Sequence, residues 1–177
     1  ILHPQEGVLN GHYQPGDFAK ARKIKQLQNG VSLSVNAARL TPSKTGTFKV
    51  GDLFTGYGTA MSVEHFYTLW GGDLTQKRVI IQGWGNVASG AAYYLSQMGA
   101  KVVGIIDKVG GLMKPEGFTL EEVTTLFNTK DGNALSAPYM LSFEEANRQI
   151  WSMGAEVFIP AAASRLVNRM QLAQMLD

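Results

Sequence analysis

The chain has 177 residues, of which 45% are hydrophobic and 17% charged, and 16 basic against 14 acidic side chains give a net charge of +2. This length fits one globular domain, and so small a charge excess predicts neither a nucleic acid nor a membrane surface as partner. The absence of cysteine excludes disulfides, thiolate zinc sites and thiol nucleophiles. The three histidines, His3, His12 and His65, form no ligand pattern, so no metal site is expected.

The first fifty residues show little periodicity. Asp17 is placed to cap a short helix that ends before Gly30. This helix carries a basic cluster of Lys20, Arg22, Lys23 and Lys25. We interpret the cluster as a solvated face, with phosphate binding as the alternative. Alternating apolar residues from Val31 to Val35 predict a short strand, and residues 41–51 are rich in turn formers.

From Thr55 onward the hydrophobic spacing becomes regular. Apolar residues between 61 and 69 predict a helix that stops at Gly71. The β-branched run at residues 79–81 then predicts a strand that is buried on both faces.

A loop beginning at Gly83 leads from this strand into a predicted helix that ends at Gly99. Residues 102–106 predict a second buried strand, and Asp107 follows it directly. The order strand, helix, strand predicts a β–α–β unit and therefore a parallel sheet.

Two later helices are marked by capping boxes. Thr119 with Glu122 and Ser142 with Glu145 have the required spacing. Residues 157–159 predict a third short strand, and a last helix is expected over residues 169–176. The predicted class is therefore α/β, with a parallel sheet flanked by helices.

The loop after the first buried strand has the spacing GxGxxA, formed by Gly83, Gly85 and Ala88. A strand that leads through a glycine turn into a helix aims backbone N–H groups and the positive helix end at one place, where a diphosphate can bind. Gly83 permits the turn, Gly85 lets the diphosphate approach, and Ala88 allows close packing. Asp107, about twenty residues further on, is placed to accept hydrogen bonds from the adenosine ribose. The alternative is a structural turn with Asp107 as a solvated strand end.

Five segments carry a more specific pattern: Phe54-Thr55-Gly56-Tyr57-Gly58, Gly83-Trp84-Gly85-Asn86-Val87-Ala88, Gly99-Ala100-Lys101-Val102-Val103 with Asp107, Pro115-Glu116-Gly117, and Ile159-Pro160-Ala161-Ala162. In order and spacing they resemble the nucleotide-binding domain of the glutamate/leucine/phenylalanine/valine dehydrogenases, and within that family the hexameric glutamate dehydrogenases. The resemblance covers about residues 41 to 177.

This resemblance implies a Rossmann-like NAD(P)-binding domain and the oxidative deamination of an amino acid, L-glutamate or a related one, to the 2-oxo acid and ammonia. It implies that Thr55 lies near the nicotinamide amide, Asn86 and Val87 at the diphosphate, Asp107 at the adenosine ribose, and Ala161 and Ala162 in the cleft. Gly83, Trp84, Gly85 and Lys108 complete the predicted cofactor site. No catalytic residue is predicted in this chain, and a cytoplasmic homo-oligomer is implied.

Family members carry a glycine-rich lysine motif and a catalytic aspartate in a separate substrate domain, and neither is recognisable here. We therefore interpret residues 1–50 as a region joining that domain, and residues 51–177 as a dinucleotide-binding domain without its later strands. Such a piece of a two-domain enzyme is expected to bind cofactor without catalysis and to self-associate through an unpaired sheet edge. Lys114 follows a superficial echo of the lysine motif and is expected to be an exposed loop residue.

NAD is the expected cofactor. The Asp107 carboxylate repels the additional phosphate of NADP, but the family that the chain resembles keeps an acid here in enzymes of either preference, so Asp107 alone does not decide. Ile106 replaces a serine common in the NADP enzymes and cannot donate a hydrogen bond to that phosphate. NADP is the alternative, since Lys108 can attract that phosphate. Two readings other than an enzyme domain stay open. One is a regulatory module that senses NAD(H), suggested by Ser164 and Arg165 where the family has other polar residues, and the other is a domain used mainly for assembly.

Overall fold

A computed structural model describes residues 16–42 and 48–176. The described residues form two compact units, divided between Phe54 and Thr55, slightly later than the boundary at residue 50 that the sequence predicts. No helix within the described ranges is long and apolar enough to cross a bilayer.

The first unit contains α1 (Phe18–Val31), the antiparallel strands β1 (Ser34–Val35) and β2 (Phe48–Lys49), and the start of α2 (Val50–Leu69). Asp17 Oδ1 accepts a hydrogen bond of 2.8 Å from the Lys20 backbone N–H, which confirms the predicted cap. The helix continues through Gly30, so the predicted strand is shortened to two residues. The basic cluster on α1 is exposed.

The second unit is built on a four-stranded sheet in the order β5-β4-β3-β6. Its elements after α2 are β3 (Arg78–Gln82), α3 (Asn86–Gln97), β4 (Lys101–Asp107), β5 (Gly110–Met113), α4 (Leu120–Thr129), α5 (Phe143–Gln149), a 3-10 turn (Ile150–Ser152), β6 (Val157–Pro160) and α6 (Arg169–Leu176). Strands β6, β3 and β4 are parallel, which confirms the predicted α/β class. The sequence misses β5, which pairs antiparallel with β4.

The central strand β3 is buried on both faces, as its apolar run predicts. Ile80 belongs to a buried cluster that includes Ala146 of α5 and Trp151 of the 3-10 turn. Because successive side chains of a strand point to opposite faces, Val79 and Ile81 face the other side of the sheet. Both are fully buried, so β3 is packed on both faces of the sheet.

Both predicted capping boxes are confirmed at the starts of α4 and α5. The first of them also corrects the prediction for Lys114. Lys114 is half-buried, and its Nζ donates to both carboxylate oxygens of Glu122 at 2.6 and 2.8 Å. This hydrogen bond holds the pKa of Glu122 below its usual value. Lys114 lies in the loop after β5, as predicted, but it is a partner of α4, so the prediction that it is exposed is wrong.

Candidate functional site

The turn between β3 and α3 requires glycine at residue 83. Gly83 has a φ of 95°, a backbone conformation that residues with a side chain rarely adopt. Its N–H donates to the Ile106 carbonyl at 2.7 Å. A Cβ on Gly83 would lie 2.7 Å from the Ala161 carbonyl oxygen and 3.0 Å from the Ala162 Cα. The turn thus brings three of the predicted cofactor residues together at the carboxyl ends of β3 and β6, where open α/β sheets bind ligands.

Helix α3 starts directly behind this turn without a capping side chain. Its N-cap residue, Gly85, has no side chain that could accept a hydrogen bond from the helix. Other helices of the chain are capped by the side chains of Asp17, Thr119 and Ser142. Gly85, Asn86 and Val87 are half-buried. The backbone N–H groups of a first helical turn have no intrahelical acceptors and carry a partial positive charge, so this end of α3 is suited to an anion.

Trp84 lies in the same turn, but its side chain faces away from the surface. The indole is 0% exposed, and its Nε1–H donates to the Leu126 carbonyl of α4 at 3.1 Å. Trp84 is 0% exposed as a whole residue, so neither its indole nor its backbone is open to solvent, and its predicted contact with a cofactor stays a prediction. The indole instead attaches the turn to α4.

Asp107 stands at the end of β4 and is 8% exposed. Its Oδ2 accepts a hydrogen bond of 2.8 Å from the Leu135 backbone N–H. The alternative interpretation as a solvated strand end is therefore wrong. A carboxylate accepts several hydrogen bonds through its two oxygens, so the bond to Leu135 leaves acceptor capacity for a ribose hydroxyl. Lys108, the next residue, is exposed.

Thr55 is placed by a close contact between two helices. A Cβ on Gly56 would lie 2.7 Å from the Gly90 Cα, so the backbones of α2 and α3 touch at this point. The Tyr57 ring meets the Tyr94 ring edge-on at 5.1 Å, and burial raises the pKa of the Tyr94 hydroxyl to about 12. Two residues of the Thr55–Gly58 motif thus have a packing role, and Thr55 itself lies next to the contact with α3.

A loop that sequence reasoning missed approaches the predicted site at three points. In this loop, residues 130–135, Lys130 donates to Asn86 Oδ1 at 2.6 Å and Leu135 donates to Asp107. Asn133 is the neighbour that a Cβ on Gly85 would meet, at 3.6 Å. The Asp131-Gly132 pair indicates a turn, but no local pattern shows that this turn returns to the start of α3.

His65 is not part of this site. His65 is exposed, and its Nδ1 lies 3.6 Å from a carboxylate oxygen of the neighbouring Glu64. His3 and His12 lie outside the described residues. In the part of the chain that the structure describes, no three His, Asp or Glu side chains are grouped closely enough to hold a metal ion.

The sequence match to known proteins covers the whole site. Residues 46–177 match the family model described as glutamate/leucine/phenylalanine/valine dehydrogenase. The chain belongs to this dehydrogenase family. The resemblance that the five sequence segments indicate is thereby confirmed.

Individual members of the dehydrogenase family show how much of their length this chain matches. The chain is 31% identical to the glutamate dehydrogenase of Aeropyrum pernix over 72% of its own length and 30% of that protein. It is 31% identical to the NAD-specific glutamate dehydrogenase of Bacteroides fragilis over 78% of its length and 35% of that protein. The chain thus spans about a third of the curated relatives it matches.

A solved structure of the family also matches this chain over less than a third of its own length. The hetero-hexameric glutamate dehydrogenase of Thermus thermophilus, in a leucine-bound form, superposes with a TM-score of 0.56 at 25% identity. The match covers 70% of this chain and 28% of that chain. Another relative, from Saccharolobus shibatae, is NADP-specific and 30% identical.

Proposed function

We propose that the chain is the cofactor-binding part of an amino-acid dehydrogenase and binds NAD, with NADP as the alternative, at the turn between β3 and α3. The observation that carries this proposal is the glycine turn at Gly83. A Cβ on Gly83 would meet the carbonyl oxygen of Ala161, and the turn leads into a helix start without a capping side chain. Membership of the dehydrogenase family supports a nicotinamide dinucleotide as the ligand of this turn.

Different residues of the site would bind different parts of the dinucleotide. The backbone N–H groups from Gly85 to Val87 would hold the diphosphate, and Asp107 would accept hydrogen bonds from the adenosine ribose. Ala161 and Ala162 are small and leave room for a flat ring beside Gly83. Thr55 would contact the nicotinamide amide, as the family resemblance implies.

The reaction in the complete enzyme would be the oxidative deamination of L-glutamate or a related amino acid. When bound, the nicotinamide supplies the hydride acceptor for the substrate Cα. The residues of this chain would fix the position of the dinucleotide, while the groups that transfer protons would belong to a substrate domain. The expected role of this chain is therefore binding and orientation.

Replacing Gly85 with alanine is expected to weaken NAD binding about tenfold or more, because a methyl group would stand where the diphosphate approaches the backbone. The fold should tolerate this change, since φ is −72° and the added Cβ would make an ordinary contact with Asn133 at 3.6 Å. Isothermal titration calorimetry measures the affinity, and urea unfolding measures the stability.

Gly58→Ala is the matched control for this substitution. Gly58 lies in α2, and a Cβ there would meet nothing within 4 Å. The control should bind NAD as the parent chain does. If the Gly85 variant also binds with unchanged affinity, the diphosphate does not rest on this backbone.

Parallel titrations of the chain with NAD and NADP test the proposed function itself. We expect saturable binding of both cofactors or of NAD alone, with NAD favoured because Asp107 repels the phosphate on the NADP ribose. Absence of heat for either cofactor at millimolar concentration would contradict cofactor binding and support a domain used for assembly.

A further inference from the structure

The loop from residue 130 to 135 contains the single Asp-Gly pair of the chain, Asp131-Gly132. Both residues are exposed, and Gly132 has a φ of 57°. A Cβ on Gly132 would meet nothing within 4 Å, so the space around the peptide bond between the two residues is open. Exposed loop tips made of small residues are the places where a chain is most easily altered by chemical attack.

Two groups of this pair have no partner within residues 16–42 and 48–176. The Asp131 carboxylate makes no hydrogen bond or ion pair there, and the Gly132 N–H donates to no acceptor. The turn is held only by its backbone, through reciprocal hydrogen bonds of 2.9 and 3.0 Å between Asp131 and Ala134. Because glycine has no side chain, nothing shields the Gly132 nitrogen from the neighbouring carboxyl group.

We propose that Asp131 is a site of spontaneous isoaspartate formation, a modification that releases this loop from Asp107. The Gly132 nitrogen attacks Cγ of Asp131, and the new N–Cγ bond forms as the nitrogen loses its proton and the carboxyl group its hydroxyl, together as water. Water then opens the resulting five-membered imide at the main-chain carbonyl of Asp131. The main chain now runs through Cβ and Cγ, and no oxidant or reductant is needed.

The product has one additional carbon atom in the backbone of a loop with two fixed ends. At one end Lys130 donates to Asn86 Oδ1 at 2.6 Å, and at the other the Leu135 N–H donates to Asp107 Oδ2 at 2.8 Å. Leu135 directly follows Ala134, the partner of Asp131, so a longer backbone at residue 131 displaces its N–H from Asp107. This consequence for the cofactor rests on the proposed function, in which Asp107 accepts hydrogen bonds from the ribose.

The structure selects Asp131 over a second pair that the sequence makes equally suspect. Asn29 is also followed by glycine and is also exposed. The pair lies inside α1 (Phe18–Val31), where the Gly30 N–H is a donor in the helix and is not free to attack. Modification at Asn29 would require α1 to open, whereas modification at Asp131 requires only a change in an exposed turn.

The test is incubation of the chain at neutral pH and physiological temperature, followed by proteolytic digestion. Mass spectrometry with electron-transfer fragmentation distinguishes isoaspartate from aspartate in each peptide. We expect isoaspartate to accumulate at residue 131 and not at residue 29. Asp131→Glu is the matched variant, because it keeps the charge but closes a less favourable six-membered imide, and its residue 131 should stay unmodified.

Titration with NAD before and after incubation measures the consequence. The modified parent chain is expected to bind NAD about tenfold more weakly or worse, as for the loss of a hydrogen bond to a charged group, while the incubated Asp131→Glu variant keeps its affinity. Absence of isoaspartate at residue 131, or equal modification at residue 29, would overturn the inference. Unchanged NAD affinity of a fully modified chain would also overturn it, since the loop would still hold Asp107. A fresh parent chain that binds no NAD would reject the proposed function, and isoaspartate at residue 131 would still support the modification site.

Discussion

Replacing Trp84 with alanine is expected to lower the free energy of unfolding by about 3–5 kcal/mol, the usual cost of removing a fully buried tryptophan. The indole is 0% exposed and donates to the Leu126 carbonyl, so the variant would contain a cavity and lose a buried hydrogen bond. Domains of this kind are stable by only about 5–15 kcal/mol. Urea unfolding followed by circular dichroism measures the change.

Trp70→Ala provides the comparison for this substitution. Trp70 follows α2 and is 77% exposed, so its removal should change the stability by less than about 0.5 kcal/mol. If the Trp84 variant were as stable as the Trp70 variant, the turn would not be anchored to α4 through the indole. The orientation of Trp84 away from the cofactor surface would then have to be abandoned.

Replacing Gly83 with alanine is expected to cost about 2–4 kcal/mol, from an unfavourable backbone conformation and from overpacking. The φ of Gly83 is 95°, and the new Cβ would lie 2.7 Å from the Ala161 carbonyl oxygen. A backbone oxygen cannot move aside as a side chain can, so the end of β6 would have to shift. Differential scanning calorimetry and urea unfolding both report this loss.

Comparison with the Gly85→Ala variant distinguishes an effect on stability from an effect on cofactor affinity. Gly83 and Gly85 are two residues apart, yet only Gly83 has a positive φ and a close backbone neighbour. We expect the Gly83 variant to lose stability and the Gly85 variant to lose cofactor affinity. Equal stability of the Gly83 variant and the parent chain would contradict the assigned backbone conformation.

Strands β3, β4 and β6 are predictable from the sequence because each contains a short apolar run rich in β-branched residues. Helices α4 and α5 are predictable because their capping boxes are local. The hairpin strand β5 is not, since its sequence, Gly110–Met113, begins with two glycines and is held by pairing with β4. The start of α2 at Val50 is also not predictable from the sequence. Glycines at positions 56 and 58 disfavour a helix, and the contact of Gly56 with Gly90 of α3 overrides that preference.

The candidate site divides in the same way. Gly83, Gly85 and Asp107 are located by spacing, because a β–α–β turn fixes their separation along the chain. Lys130 is not, since it lies 44 residues after Asn86 in sequence and meets it only through the fold. The Leu135 contact to Asp107 is made by a backbone N–H, which every residue except proline possesses and no sequence pattern reveals. The burial of the Trp84 indole likewise depends on its contact with α4.

Titration of the nitrogen-15-labelled chain with NAD, followed by amide resonances, tests the central claim most directly. The account predicts that the resonances from Gly83 to Val87 shift in proportion to saturation, together with those of Asp107, Lys130 and Ala162. Saturable shifts confined to other residues would place the cofactor elsewhere. A spectrum unchanged at millimolar NAD would show that the turn between β3 and α3 is not a dinucleotide site.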